Sequence, residues 1–208
     1  MLELLPLLTA LTAGFAHALE PDHMAAVTTF VSRRPDPAAA MRFGVRWGAG
    51  HSAAILVVGG VLVLLDLHLP EGLARGLEFG VGAMLVGLGA WLLWGLLHAR
   101  AHGHTHEDGH DHTHDRHGAT WVGILHGMAG TAPLVALLPV VLSPSPALAL
   151  GYLALFGVGT VLAMGLYAMI TGLVFRHAGR RFPSLASGMR LATALGSALI
   201  GVVWMWNA

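Results

Sequence analysis

The chain has 208 residues, of which 55% are hydrophobic and only 11% are charged. A soluble domain usually carries about 25% charged residues, so this composition cannot cover a water-facing surface and indicates an integral membrane protein. Eleven basic residues, all arginine, balance eleven acidic residues. No basic cluster lies away from the predicted membrane ends, which argues against a nucleic-acid partner. The chain has no cysteine, which excludes disulfides, thiolate metal ligands and cysteine nucleophiles.

Six apolar segments are each long enough to cross a bilayer as a helix, which needs about 20 apolar residues. Short connections rich in proline and glycine separate most of them. Polar or glycine-rich breaks interrupt two segments, the first at residues 20–23 and the fourth at residues 127–133. We therefore predict an all-α protein with six transmembrane helices, broken in the first and fourth. The predicted spans are residues 2–31, 38–65, 72–97, 119–142, 148–175 and 185–206.

The arginines are distributed unevenly between the two sides of the predicted bundle. In a six-span arrangement, ten of the eleven flank the first, third and fifth connections, and only Arg75 lies on the opposite side. An excess of arginine marks the cytoplasmic side. The pattern predicts a multi-pass protein of the cytoplasmic (inner) membrane with both termini outside.

The two halves of the sequence resemble each other at an offset of 109 residues. Residues Gly14–His17 align with Gly123–His126, and Trp47–Gly50 align with Phe156–Gly159. Three spans per repeat would give the halves opposite orientations, as in many secondary transporters, whose substrates bind near the middle of the membrane. The predicted units are a first repeat with the metal site at 1–97, a His-rich cytoplasmic loop at 98–118 and a second repeat at 119–208.

The break in the first span concentrates groups that can bind a metal. His17, Glu20, Asp22 and His23 surround Pro21, which cannot donate a backbone hydrogen bond and so favours an unwound turn. Such a turn would let both imidazoles and the aspartate meet one cation. In the alternative interpretation the first helix simply ends here, and Asp22 caps the next helix in an interfacial loop.

Other polar residues occur inside the predicted spans, and three of them have two interpretations. His51 is either a metal ligand or the donor of an interhelical hydrogen bond. His126, the repeat counterpart of His17, either binds the ion or lines its pathway. Glu78 is either a relay for protons or ions or an interfacial residue, and Thr160 is a further candidate for the pathway.

A low-complexity tract between the third and fourth spans has alternate histidines in a polar, glycine-interrupted context, a composition typical of metal capture. The alternative is a dispensable spacer. The predicted metal-capturing residues are His102, His104, His106, His110, His112 and His114.

The pattern His17-x4-Asp22-His23 resembles the signature of the nickel/cobalt transporter superfamily, which includes nickel permeases and urease-accessory membrane proteins. The segments Gly50–Ser52 and His126–Gly127 are similar to motifs in the second and fourth helices of its short branch. The sequence departs from the permeases in lacking their acidic motifs in the second half. The resemblance implies a metal-binding set of His17, Asp22, His23 and His51.

The resemblance implies a transporter of divalent nickel or cobalt, active in uptake, with the metal as cargo rather than cofactor. Imidazole and carboxylate ligands suit these ions. No metalloprotease or diiron histidine box occurs in the spans, so we do not expect an enzyme. The alternatives are nickel or cobalt efflux, then transport of zinc or another divalent metal, and finally a metal sensor or chaperone. Further expected partners are the bilayer, a metallochaperone of a nickel enzyme and a second copy of the chain.

Overall fold

A computed structural model describes residues 4–65, 67, 69–102, 114–128 and 145–208. Throughout this part the secondary structure is helical, with seven helices and no strand, which confirms the predicted all-α class. The helices are α1 (Leu4–His17), α2 (Pro21–Arg33), α3 (Pro37–Leu64), α4 (Glu71–His102), α5 (His114–Met128), α6 (Pro146–Arg181) and α7 (Pro183–Asn207).

Four of the described helices, α3, α4, α6 and α7, are long and apolar enough to cross a membrane. They correspond to the second, third, fifth and sixth predicted spans. Their outer surfaces expose large apolar side chains, such as Val57, Trp94 and Leu199, each 64–65% exposed. Such side chains suit contact with lipid, so the arrangement agrees with a membrane protein.

The first predicted span is two helices, as the sequence indicated. α1 and α2 have 14 and 13 residues, and at about 1.5 Å per residue neither alone crosses a bilayer core. Pro21 begins α2, where its missing N–H costs no helical hydrogen bond, and Glu20 before it is extended. The alternative with Asp22 as the capping residue is wrong, because Glu20 occupies that position and Asp22 lies in the first turn of α2.

The helices that border the His-rich tract extend further than the sequence indicated. α4 continues to His102 and α5 begins at His114, so both ends of the predicted 98–118 loop are helical. Alanine and arginine at residues 99–101 favour helix, which accounts for the extension of α4. His104, His106, His110 and His112 lie outside the described residues. Of the fourth predicted span, residues 119–128 belong to α5, including the first two residues of the predicted break at 127–133, and residues 129–142 lie outside the described part.

Close helix packing brings the ends of α1 and α5 to the middle of the bundle. α3 packs along α6 and α4 along α7, while α1 lies against α6 and α5 against α3. Glycine makes the last two contacts close: a Cβ at Gly14 would collide with the carbonyl of Phe156, and one at Gly123 with the carbonyl of Trp47. Small residues allow helix backbones to approach in this way within membranes.

Polar contacts hold α2 against three other helices. The Thr28 hydroxyl lies 2.6 Å from the Tyr167 hydroxyl of α6. On α7, the Nε of Arg190 donates a hydrogen bond to the carbonyl of Ser32 at 2.9 Å. The guanidinium carbon of Arg33 lies 3.8 Å from the ring centroid of Trp91 on α4, a cation–π contact. These contacts fix the position of the helix that carries Asp22 and His23.

We expect Gly14→Ala to destabilise the protein by about 1–3 kcal/mol, because the added methyl forces α1 away from α6. Gly87→Ala is the matched control, since a Cβ there meets nothing within 4 Å. The control should leave stability unchanged or raise it slightly, because alanine is the better helix former. The measurement is thermal unfolding of the purified variants in detergent. Equal effects of the two substitutions would contradict the close contact.

Candidate metal centre

Five polar side chains converge in the buried middle of the described bundle. They come from four helices and are almost inaccessible: His51 and His126 are 0% exposed, His23 2%, Asp22 4% and His17 6%. Removing imidazoles and a carboxylate from water is costly, and inside a membrane such groups normally mark a functional site.

The spacing of the side chains suits one small cation. His17 Nε2 lies 3.3 Å from His51 Nε2, and His126 Nε2 lies 3.0 Å from Asp22 Oδ2. Asp22 Oδ1 in turn lies 2.9 Å from His23 Nδ1. With metal–nitrogen bonds of about 2.1 Å, neighbouring ligand atoms are about 3.0–3.4 Å apart in octahedral or tetrahedral geometry. The ligand atoms therefore need little movement to bind an ion.

The side chains form two overlapping groups of three. The first triad is His17, His23 and His51, and the second triad is Asp22, His23 and His126. In each triad the ligand atoms lie within 4.8 Å of one another. His23 belongs to both, and its ring centroid is 4.4 Å from those of His17 and His126.

Within the described part of the chain, three buried ring nitrogens of this cluster have no hydrogen-bond partner: His23 Nε2, His51 Nδ1 and His126 Nδ1. An unsatisfied buried polar atom costs about 1–3 kcal/mol, which a bound ligand can offset. For His23 the reason for a free lone pair is visible, because a carboxylate beside Nδ1 fixes the proton there and leaves Nε2 to bind a metal.

Two aromatic side chains pack against the cluster. Trp47 stacks on His51 with centroids 5.2 Å apart and an interplanar angle of 10°, and it lies edge-on to His23 and His126 at the same distance. Phe156 lies 5.3 Å from His17. The sequence repeat paired Trp47 with Phe156, but the contact between Trp47 and His51 was not predicted. The signal was the four-residue spacing from Trp47 to His51, which puts both on one helix face.

Glu20 links the cluster to the surface of the described bundle. Its Oε1 lies 3.0 Å from His17 Nδ1, and its side chain is 39% exposed, whereas that of His17 is 5% exposed. A carboxylate at this point can attract a cation before the buried imidazoles bind it.

The other residues singled out in the sequence lie outside the two triads. Thr160 is buried, and its hydroxyl lies 3.1 Å from the carbonyl oxygens of both Gly14 and Phe156, which share its one proton, so that it links α1 to α6. Glu78 is partly exposed on α4. His102 and His114 lie at the helix ends next to undescribed residues. The functional roles given to these residues stay predictions.

The chain is 32% identical to the urease accessory protein UreH of Bacillus sp. (strain TB-90), over 97% of this chain and 92% of the relative. The chain belongs to the UreH family of urease accessory proteins. This membership confirms the resemblance to the urease-accessory-type membrane proteins that the sequence motifs indicated.

A plant protein is a second relative of this UreH-family chain. The chain is 29% identical to the chloroplast protein FOR GROWTH AND FERTILITY 2 of Arabidopsis thaliana, over 93% of its own length and 54% of the relative. The chain thus spans about half the length of the plant protein. No family model matches the chain, and no solved structure matches it.

We expect divalent nickel to stabilise the protein, because an ion that binds only the folded state at 100 times its Kd contributes about 2.7 kcal/mol. His23→Ala removes the residue common to both triads and should abolish this nickel-dependent rise in Tm. His177→Ala, which changes an exposed histidine of α6, should keep it. Thermal unfolding with and without nickel measures both. An undiminished rise in His23→Ala would contradict the site.

Proposed function

We propose that the chain is a membrane transporter that carries divalent nickel, or cobalt, into the cell. The observation that supports this most strongly is the cluster of two triads. It buries four imidazoles and a carboxylate inside a bundle whose outer surface exposes large apolar side chains. Nitrogen and oxygen ligands suit nickel(II) and cobalt(II). The metal is cargo, and neither a resident cofactor nor a catalytic step is part of the proposal.

Nickel and the inward direction are supported by the relationship to UreH. The relative is named for an accessory role with urease, and the superfamily that the motifs resemble carries nickel and cobalt. An accessory protein that serves a metal enzyme has to bring metal to the side where that enzyme is assembled. A metallochaperone of the enzyme would then receive the ion.

We also propose six spans arranged as two inverted repeats. One support is a pair of contacts that the 109-residue offset relates. Gly14 of α1 meets the backbone of Phe156 on α6, and its counterpart Gly123 of α5 meets the backbone of Trp47 on α3. Since Trp47 is the counterpart of Phe156, α1 packs on the second repeat as α5 packs on the first.

A second pair of contacts is also related by the 109-residue offset. A Cβ on Gly159 would collide with the carbonyl of Leu11, and one on Gly50 with the carbonyl of Thr120. Gly50 and Gly159 are counterparts at the offset of 109, as are Leu11 and Thr120. Two sets of exchanged contacts between α1–α6 and α5–α3 support a two-fold relation between the halves, because each first helix packs on the second helix of the other half. An odd number of spans in each half makes such a repeat inverted.

The arginine distribution supports an orientation with both termini outside and the His-rich residues 98–118 in the cytoplasm. In this orientation a cation enters past Glu20, binds in the buried cluster near the membrane middle, and leaves toward the His-rich tract. The histidines of that tract would take up the ion on the cytoplasmic side.

We expect Asp22→Asn to lower nickel-63 flux into proteoliposomes by at least about tenfold, because it removes the cluster's negative charge while keeping its size. His177→Ala should transport as wild type does. Vesicles of both orientations distinguish uptake from efflux. Wild-type flux of zinc alone would contradict the nickel assignment, and undiminished flux in Asp22→Asn would contradict the proposed site.

The proposed topology predicts that Glu71→Cys reacts with a membrane-impermeant maleimide from outside, whereas Ser184→Cys reacts only after permeabilisation. The chain has no cysteine of its own, so each variant carries one reactive thiol. Both positions are exposed at helix starts, Glu71 in α4 and Ser184 in α7. Labelling of intact cells measures the difference. Reaction of both thiols from the same side would contradict six spans in this orientation.

A further inference from the structure

His23 lies between the two triads and belongs to both. Neither a single metal site nor two independent sites would need a histidine in this shared position. Its Nδ1 lies 2.9 Å from Asp22 of the second triad, whereas its Nε2 is buried without a partner. Its ring centroid lies 4.4 Å from His17 on one side and 4.4 Å from His126 on the other. An imidazole has two ring nitrogens, each able to bind a metal. His23 can therefore serve an ion on either edge.

We propose that the two triads are two positions for one metal ion, which steps from the first triad to the second across His23 during transport. This inference rests on the proposed function for the step itself, but the two binding positions require only that the protein binds the metal. In the first position the ion binds Nε2 and the proton stays on Nδ1, beside Asp22. In the second position the ion takes the place of that proton on Nδ1 and the proton moves to Nε2, so the ring stays neutral in both.

The composition of the triads gives the step a direction. The first triad adjoins the half-exposed Glu20 through His17, so it is the position that an ion from the exterior reaches first. The second triad includes His126 of α5, which is 0% exposed. It also contains Asp22, whose negative charge attracts a divalent cation more strongly than neutral imidazoles do.

A shared ligand lowers the cost of the movement. While the ion exchanges His17 and His51 for Asp22 and His126, it remains beside His23. Because the two triads adjoin each other at His23, the ion crosses no region without protein ligands between them, which would be very costly for a divalent ion.

Simultaneous occupancy of both triads is disfavoured. Two divalent ions separated by the width of one imidazole repel each other four times as strongly as two unit charges at that distance. Among the described residues, the two triads contain one carboxylate, Asp22, to offset this charge. We therefore expect one ion for each chain.

The test combines equilibrium binding of nickel-63 to the purified full chain with flux of the same variants in proteoliposomes. His51→Ala removes a ligand of the first triad alone, and His126→Ala a ligand of the second alone. His23→Ala affects both triads, and His177→Ala is the control. Unfolding in detergent checks each variant, and His126→Gln, which keeps a polar side chain, replaces His126→Ala if the latter does not fold.

Wild type should bind one nickel ion for each chain. His51→Ala and His126→Ala should each still bind one ion, in the triad that remains, but lose flux by at least about tenfold because the second position is missing. His23→Ala should lose both binding and flux. The combination of retained binding and lost flux in the two single-triad variants is the result that only two positions on one pathway would give.

Four results would overturn all or part of the inference. Wild-type flux in His126→Ala would place the second triad off the pathway. Loss of all binding in both His51→Ala and His126→Ala would mean one merged site. Two ions bound to each wild-type chain would mean a dinuclear centre. Binding without any wild-type flux would overturn the transport function and the step with it, while the binding pattern of the variants would still decide whether two positions exist.

Discussion

Pro21 has no backbone N–H, so a helix can begin at this residue but cannot continue through it without losing a hydrogen bond. On an uninterrupted helix, His17 and His23 would point about 120° apart, at about 100° per residue. The break between α1 and α2 instead brings their ring centroids to 4.4 Å. Because Asp22 and His23 lie in the first turn of α2, both triads depend on where this helix starts.

The rest of the bundle holds this broken helix in place and brings the remaining ligands to it. Gly123 lets α5 approach α3 closely enough for His126 to reach Asp22. Trp47 then packs against the rings of both His51 and His126. The bundle thus keeps three ring nitrogens buried and unsatisfied. That arrangement is costly without a ligand, and a bound cation would compensate for it.

The sequence was sufficient to predict the helical class and the break in the first span. Both depend on features of a single segment, the length of its apolar run and the position of Pro21. Such features did not decide whether His126 is a ligand or lines the pathway, because its contact with Asp22 joins residues 104 positions apart and depends on how α5 packs. The contact of Trp47 with His51 was missed although a local signal exists, since their four-residue spacing puts both on one helix face. The extension of α4 to His102 was missed because the charged and imidazole side chains indicated a loop. The alanine and arginine residues among them nevertheless favour a helix.

The central claim is that imidazoles of this buried cluster bind the ion directly. X-ray absorption at the nickel edge, on purified full-length chain with one equivalent of nickel, tests it most directly because it reports the atoms bound to the metal. We expect a first shell of nitrogen and oxygen with the multiple-scattering signature of at least two imidazoles, reduced when His23 is replaced by alanine. A shell of oxygen atoms without imidazole, unchanged by that substitution, would contradict it.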